Sequence, residues 1–142
     1  MERARDDERE GKSPSTQAGE FVREEMEHIR EGEHGARSPE QAIAIGLSKA
    51  RRAGVKLPPP KRGKSRTQRQ AKRDLAKGRS GRRRKPSLKR SRATKSALKR
   101  ETRRSASKKA LSRHAKRAAA RRSAQSRSTA AKKAAQTRKR RR

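Results

Sequence analysis

The strongest constraint on this chain is a charge imbalance. From Lys61 to the end it carries 36 Lys and Arg against two acids, Asp74 and Glu101, a net charge of +34. The first 60 residues hold 11 bases and 12 acids and sum to about zero, so the whole protein stands at +33. Like charges at this density oppose compaction unless counterions or a polyanion neutralise them. Apolar residues are 25% of the chain, charged residues 43%, and Phe21 is the only aromatic. So polar a chain has little apolar surface to set against about 1–2 kcal/mol of ordering entropy per residue. The expected fold class is therefore a mostly disordered chain with a small all-α helical hairpin. Three parts follow: a disordered charged arm (1–18), the hairpin (19–57) and a disordered basic tail (58–142).

The hairpin rests on two patterns. Phe21, Val22, Met26 and Ile29 fall on one stripe of a 3.6-residue period over Gly19 to Arg30, and Gly32 and Gly35 end that run. Ser38-Pro39-Glu40-Gln41 then combines a favoured N-cap, a proline at the first helical position and a glutamine that closes a capping box. Ile43, Leu47 and Ala50 line a face of the second helix. Lys49, Arg51 and Arg52 suit its negative end, and Gly54 is placed to cap it. Some 25–30 ordered residues lie below the roughly 40 that support a lone domain, so the hairpin is expected to be steadied either by self-association, as a homodimer through the hairpin, or by its ligand. Val55-Lys56-Leu57 lead into Pro58-Pro59-Pro60, where the basic tail begins.

In the tail Leu75, Leu88, Leu98 and Leu111 are the large apolar residues, and their spacing puts them on different helical faces. Ala, Arg and Lys favour helix, so parts of 87–122 are expected to become helical when nucleic acid neutralises them. Expected nucleic-acid contacts are Lys61, Arg62, Lys64, Arg66, Arg82, Arg83, Arg84, Lys85, Lys89, Arg90, Lys99, Arg100, Arg103, Arg104, Lys108 and Lys109. Further along they are Arg113, Lys116, Arg117, Arg121, Arg122, Lys132, Lys133, Arg138, Lys139, Arg140, Arg141 and Arg142. Full neutralisation would cover on the order of 15–20 base pairs of duplex. Phosphate contacts carry no base information, and the lack of aromatics removes the stacking platforms of single-strand binders. Double-stranded DNA bound without sequence preference is the expected partner, with structured RNA second.

Other chemistry is weakly represented. The link from Gly32 to Ser38 is longer than the roughly 3–4 residues of a helix-turn-helix, and the second helix opens with Glu40 instead of a base. Gly11-Lys12-Ser13 and Gly63-Lys64-Ser65 lack the earlier glycine of a phosphate-cradling loop, having Asp6 and Pro58 there. Glu24, His28 and Glu31 share a helix face near His34, a pattern that solvated side chains explain as well as a metal does. No nucleophile, base and orienting acid assemble, so no enzyme, cofactor or metal is expected. There is no cysteine, no apolar signal core follows Met1, and the longest apolar run, Ala42 to Leu47, is far too short to span a bilayer. The expected location is cytoplasmic, at the nucleoid.

Ser38-Pro39-Glu40-Gln41-Ala42-Ile43-Ala44-Ile45-Gly46-Leu47-Ser48-Lys49-Ala50-Arg51-Arg52-Ala53-Gly54 resembles a signature helix of a small bacterial family of largely uncharacterised proteins. Phe21 to Gly35, with Met26, Gly32 and Gly35, is similar to that family's first helix and glycine-rich link. The resemblance implies a plasmid-stabilisation or DNA-binding role. In composition the tail resembles the Lys/Ala/Arg-rich arms of bacterial linker-histone-like proteins. Together these readings point to a histone-like, nucleoid-associated protein that neutralises and condenses DNA. The alternatives are an adaptor or plasmid-maintenance protein whose hairpin docks on a partner, and an RNA- or ribosome-associated protein.

Overall fold

The computed structural model describes residues 2–61, 63–80 and 87–140, with residue 140 described by its backbone alone. Two Ser-Pro pairs organise it. Helix α1 spans Glu2–Arg9, and α2, Pro14–Glu31, begins where Ser13 Oγ accepts from the backbone N–H of Thr16 at 3.3 Å, with Pro14 in the first turn. Helix α3, Pro39–Arg52, begins the same way, Ser38 Oγ accepting from Gln41 N–H at 3.3 Å. Each serine satisfies an amide that the helix leaves without a partner, and each proline occupies a position where no amide is needed. The end of α3 is equally well closed. Gly54, at φ +107°, donates to Arg51 O and Val55 to Ala50 O, the paired bonds of a Schellman motif.

α2 and α3 form the most extensive contact of the fold. On α2 the buried side chains are Gln17, Ala18, Phe21, Glu25, Met26 and Ile29. On α3 they are Pro39, Ala42, Gly46, Ala50 and Arg51, so the inner seam is a row of small residues four apart. A Cβ built on Gly46 would lie 2.7 Å from Val22 Cα, closer than real side chains tolerate. The absence of a side chain at this crossing is what lets the two backbones approach. Val22, Ile43 and Leu47 are half-buried beside the seam, and Leu47, Val55 and Leu57 pack on a core of Ala4, Ala18, Phe21 and Ala50.

Four further helices follow: α4 (Ser65–Ser80), α5 (Leu88–Lys99), α6 (Lys108–Ala120) and α7 (Ala124–Arg140), with a 3-10 turn at Arg103–Ala106. The chain divides into two units, residues 1–107 and 108–142. In the first, α1 packs on α2, α4 on α3, and the 3-10 turn on both α2 and α3. In the second, Ala110, Leu111, His114 and Ala118 of α6 are half-buried, whereas the described side chains of α7 are exposed.

The expectation of a mostly disordered chain is overturned: the described residues form seven α-helices. Residues 2–9 are helical, α2 starts five residues before Gly19, and the described part of the tail holds α4 to α7 without nucleic acid rather than on binding it. The physical reason lies in what fills the interior. Alanines contribute much of it, Ala4, Ala18, Ala36, Ala42, Ala50, Ala71 and Ala106 all being buried, alongside Phe21, Met26 and Ile29. Alanine loses no side-chain entropy on burial and has the highest helix propensity, so the entropy to be offset is smaller than a count of large apolar residues suggests. The charged side chains of α5 stay in water, where their repulsion is screened.

Replacing Gly46 with Val should lower stability to urea by about 1–3 kcal/mol, the usual cost of forcing extra atoms into a closed contact. The same substitution at exposed Ala44 should cost only the helix-propensity difference, under about 1 kcal/mol. Equal costs at the two positions would show that α2 and α3 do not cross closely at Gly46.

Candidate nucleic-acid interface

The basic segment begins on α4, and α3 holds that helix by an acid. Asp74 is 1% exposed. Its Oδ1 accepts from Arg52 Nε at 2.8 Å and Gln70 Nε2 at 3.1 Å, and its Oδ2 accepts from the Ser48 hydroxyl at 2.8 Å. A buried carboxylate is costly unless its lone pairs are met and a cation is near; here three donors, one of them charged, meet that requirement. Arg51, beside them, is also buried and donates to Leu57 O and Pro58 O at 3.2 Å each. Burial pushes its guanidinium below its ordinary value, with the charge of Asp74 acting the other way. The last turns of α3 thus fix both α4 and the proline link that leads to it.

Turning Asp74 inward leaves the outer face of α4 cationic. Arg66, Arg69, Lys72 and Arg73 line an open groove of about 560 Å³, and Lys77 and Arg79 are exposed further along. Arg66, Arg69 and Arg73 recur at i, i+3 and i+7, the spacing of one helix face. They span about 10 Å of axis, over which one strand of duplex DNA presents about three phosphates.

The next cationic element is tied to the α2–α3 link through its backbone. Gly35 N–H donates to Leu98 O at 2.9 Å and Ala36 N–H to Thr102 O at 3.1 Å. A Cβ on Gly35 would lie 2.0 Å from Glu101 O, so only glycine admits this approach. Arg30 Nε donates to Ala106 O at 2.9 Å and secures the 3-10 turn. Lys89, Arg90, Lys99, Arg100, Arg103 and Arg104 are all exposed, while Glu101 is half-buried. In the second unit Lys108, Lys109, Arg113, Lys116, Arg117, Arg121, Arg122, Lys132, Lys133, Arg138 and Lys139 are exposed, as are Lys61, Lys64 and Arg66 in the first.

Of the expected contacts, Arg62, Arg82, Arg83, Arg84, Lys85, Arg141 and Arg142 lie outside the described residues, as does the side chain of Arg140. The expectation passed over exposed Arg69, Lys72, Arg73, Lys77, Arg79, Arg92, Lys95 and Arg127. For the α4 residues the signal was present as helical spacing around Asp74.

Charge is segregated across the first unit. Glu20, Glu24, Glu27 and Glu31 recur at i, i+4, i+7 and i+11 on α2 and line a shallow polar groove with Glu2, Arg3, Arg23 and His28. Arg23 bridges Glu27 at 3.3 Å and approaches Glu20 at 3.9 Å. The turn between α1 and α2 is closed by Lys12, whose ammonium is pushed up to about 12 by hydrogen bonds to Asp7 and Glu10. Among the described residues no helix is long and apolar enough to cross a membrane.

Residues 13–62 match a family of unknown function (DUF6496). The matched stretch begins at the Ser13 cap, takes in α2 and α3, and ends in the link before α4; it leaves out α4 and all that follows and covers about a third of the chain. No curated protein and no solved structure matches this chain.

Asp74→Ala should release α4 from α3 without melting α2. Losing charge-assisted hydrogen bonds of this kind costs about 1.5–3 kcal/mol. Trypsin should therefore cleave at Arg66, Arg69 and Arg73 at least tenfold faster, with cleavage at Arg23 and Arg30 unchanged. Unchanged rates on α4 would mean that Asp74 is not its anchor.

Proposed function

We propose that this protein binds double-stranded nucleic acid, DNA foremost, through phosphate contacts and without sequence preference, in the manner of a histone-like nucleoid protein. The observation that carries the reading is the disposition of charge on the basic segment. Its described cations are exposed on α4 through α7, while its two acids are withdrawn, Asp74 fully and Glu101 in part. A surface so arranged attracts a polyanion and releases its counterions on contact.

Base reading and stacking are poorly served. Phe21, the single aromatic side chain, is 4% exposed and belongs to the α1–α2–α3 core. Helix α3 presents Glu40 in its first turn, where a recognition helix would place side chains that contact base edges. The acidic face of α2 would repel a duplex, which leaves α4 and the elements after it as the contacting surface. Within this reading the α2–α3 hairpin is the scaffold that displays α4, and a role in plasmid maintenance would use the same surface. A location at the nucleoid follows from the same proposal.

The test is the salt dependence of duplex binding by the full chain. Each phosphate neutralised contributes about −0.9 to the slope of log K against log salt, so a slope steeper than about −6 is expected between about 50 and 200 mM. Changing Arg66, Arg69, Lys72 and Arg73 together to Gln should make that slope shallower by about 3 and weaken every duplex sequence alike. Salt-insensitive binding, or one sequence strongly preferred over the rest, would contradict the proposal. Preference for folded RNA over duplex DNA at equal salt would move the function to RNA.

A further inference from the structure

Where α2 gives way to its link with α3, metal-ligating side chains converge. Glu25 and His28 stand three residues apart on α2, the i, i+3 spacing that places two side chains on one face. Gly32 then turns the chain through a left-handed conformation, φ +89°, and brings His34 back to the same place. One ligand atom from each of Glu25, His28 and His34 lies within 4.8 Å of the others. The spacing of Glu24, His28 and Glu31 in the sequence suggests a different grouping; Glu25 takes the place of those two acids because it faces inward.

Glu25 is completely buried. Lys49 Nζ lies 2.5 Å from its Oε2 and His34 Nε2 lies 3.3 Å from its Oε1, near enough for charge attraction. Neither contact is aimed as a hydrogen bond, and both carboxylate oxygens lack one. The other nitrogen of His34, Nδ1, is 3.2 Å from Gly35 O. When Nδ1–H donates to that carbonyl, the neutral ring points the lone pair of Nε2 at Glu25 Oε1. Two acceptors then face each other inside the protein, an arrangement that calls for a cation between them. A backbone carbonyl that orients a ligating imidazole in this way is the usual outer support of a metal-bound histidine.

The distances fit. A tetrahedral zinc site with bonds of about 2.0–2.2 Å sets neighbouring donors roughly 3.3–3.5 Å apart, and the Oε1 to Nε2 separation is 3.3 Å. We propose that Glu25, His28 and His34 form a site for a divalent transition metal, with Zn²⁺ favoured by a donor set of two imidazoles and one carboxylate. Glu25 contributes Oε1 and keeps Lys49 on Oε2. Glu33, whose Oε2 is 3.8 Å from His28 Nδ1, or a water takes the fourth position. The site would pin the link whose Gly35 and Ala36 hold Leu98 and Thr102, so metal would steady the docking of the segment after α5.

Zn²⁺ titrated into the full metal-free chain against a competing chelator should show one site. It should weaken at least tenfold in His28→Gln and in His34→Gln and stay unchanged in His114→Gln. The metal should also raise the melting temperature of the parent chain. X-ray absorption of the Zn²⁺-loaded parent protein needs no variant, and it should report two imidazole ligands with the remainder oxygen. Absence of binding, an imidazole count other than two, or equal affinity in the His28 and His34 variants when circular dichroism shows them folded, would overturn the proposal.

Discussion

The close crossing of α2 and α3 at Gly46 is the contact on which the other placements depend. With a Cβ there only 2.7 Å from Val22 Cα, the separation of the two helices leaves no slack. That separation sets where α3 presents its other faces. Ser48 and Arg52 reach Asp74 on α4, Lys49 reaches Glu25 on α2, and Arg51 holds the carbonyls of Leu57 and Pro58. A shift of α3 by the width of a side chain would loosen all of these together, because hydrogen bonds weaken steeply with distance and angle.

Two buried carboxylates do in this protein what large apolar side chains do elsewhere. Asp74 is met by three donors, and Glu25 is approached by a lysine and a histidine. Each is costly to bury alone, so each ties its element to the partner that compensates it. The arrangement also sorts charge. The acid of α4 is drawn inside while the glutamates of α2 line an outer face, and what remains outside on α4 is cationic. The packing of α4 and the cationic character of its outer face therefore rest on the same residue.

The Ser38-Pro39 start of α3 and its Gly54 stop are readable because capping is local chemistry, complete within four residues. Ser13-Pro14 carries the same signal before α2. It is easily passed over when its polar surroundings are taken for a disordered arm. Ile43, Ile45 and Leu47 are the largest apolar side chains on α3, yet the seam runs through Ala42, Gly46 and Ala50, since a close crossing selects for small residues. Bulk alone does not identify the inner face of such a helix. Asp74 is invisible from its own neighbourhood, because its three partners include two from 22 and 26 residues earlier in the chain. The cationic character of the basic segment is plain from composition, whereas the face of α4 that bears it becomes apparent only once Asp74 is known to point inward. Glu25 is likewise indistinguishable from Glu24 until the turn at Gly32 brings His34 against it.

The central claim is that α4, the first helix of the basic segment, is ordered before any polyanion arrives, so that under the proposed function it meets one with cations already in place. Amide hydrogen exchange of the full chain, free and with duplex DNA, tests this directly. In the free protein the amides of α4 should exchange at least about tenfold slower than in an unfolded chain, as expected of a docked helix. Added DNA should slow α4 further and leave α2 unchanged. Exchange of α4 at the unfolded rate until DNA is added would contradict the account and return the segment to a tail that folds on binding.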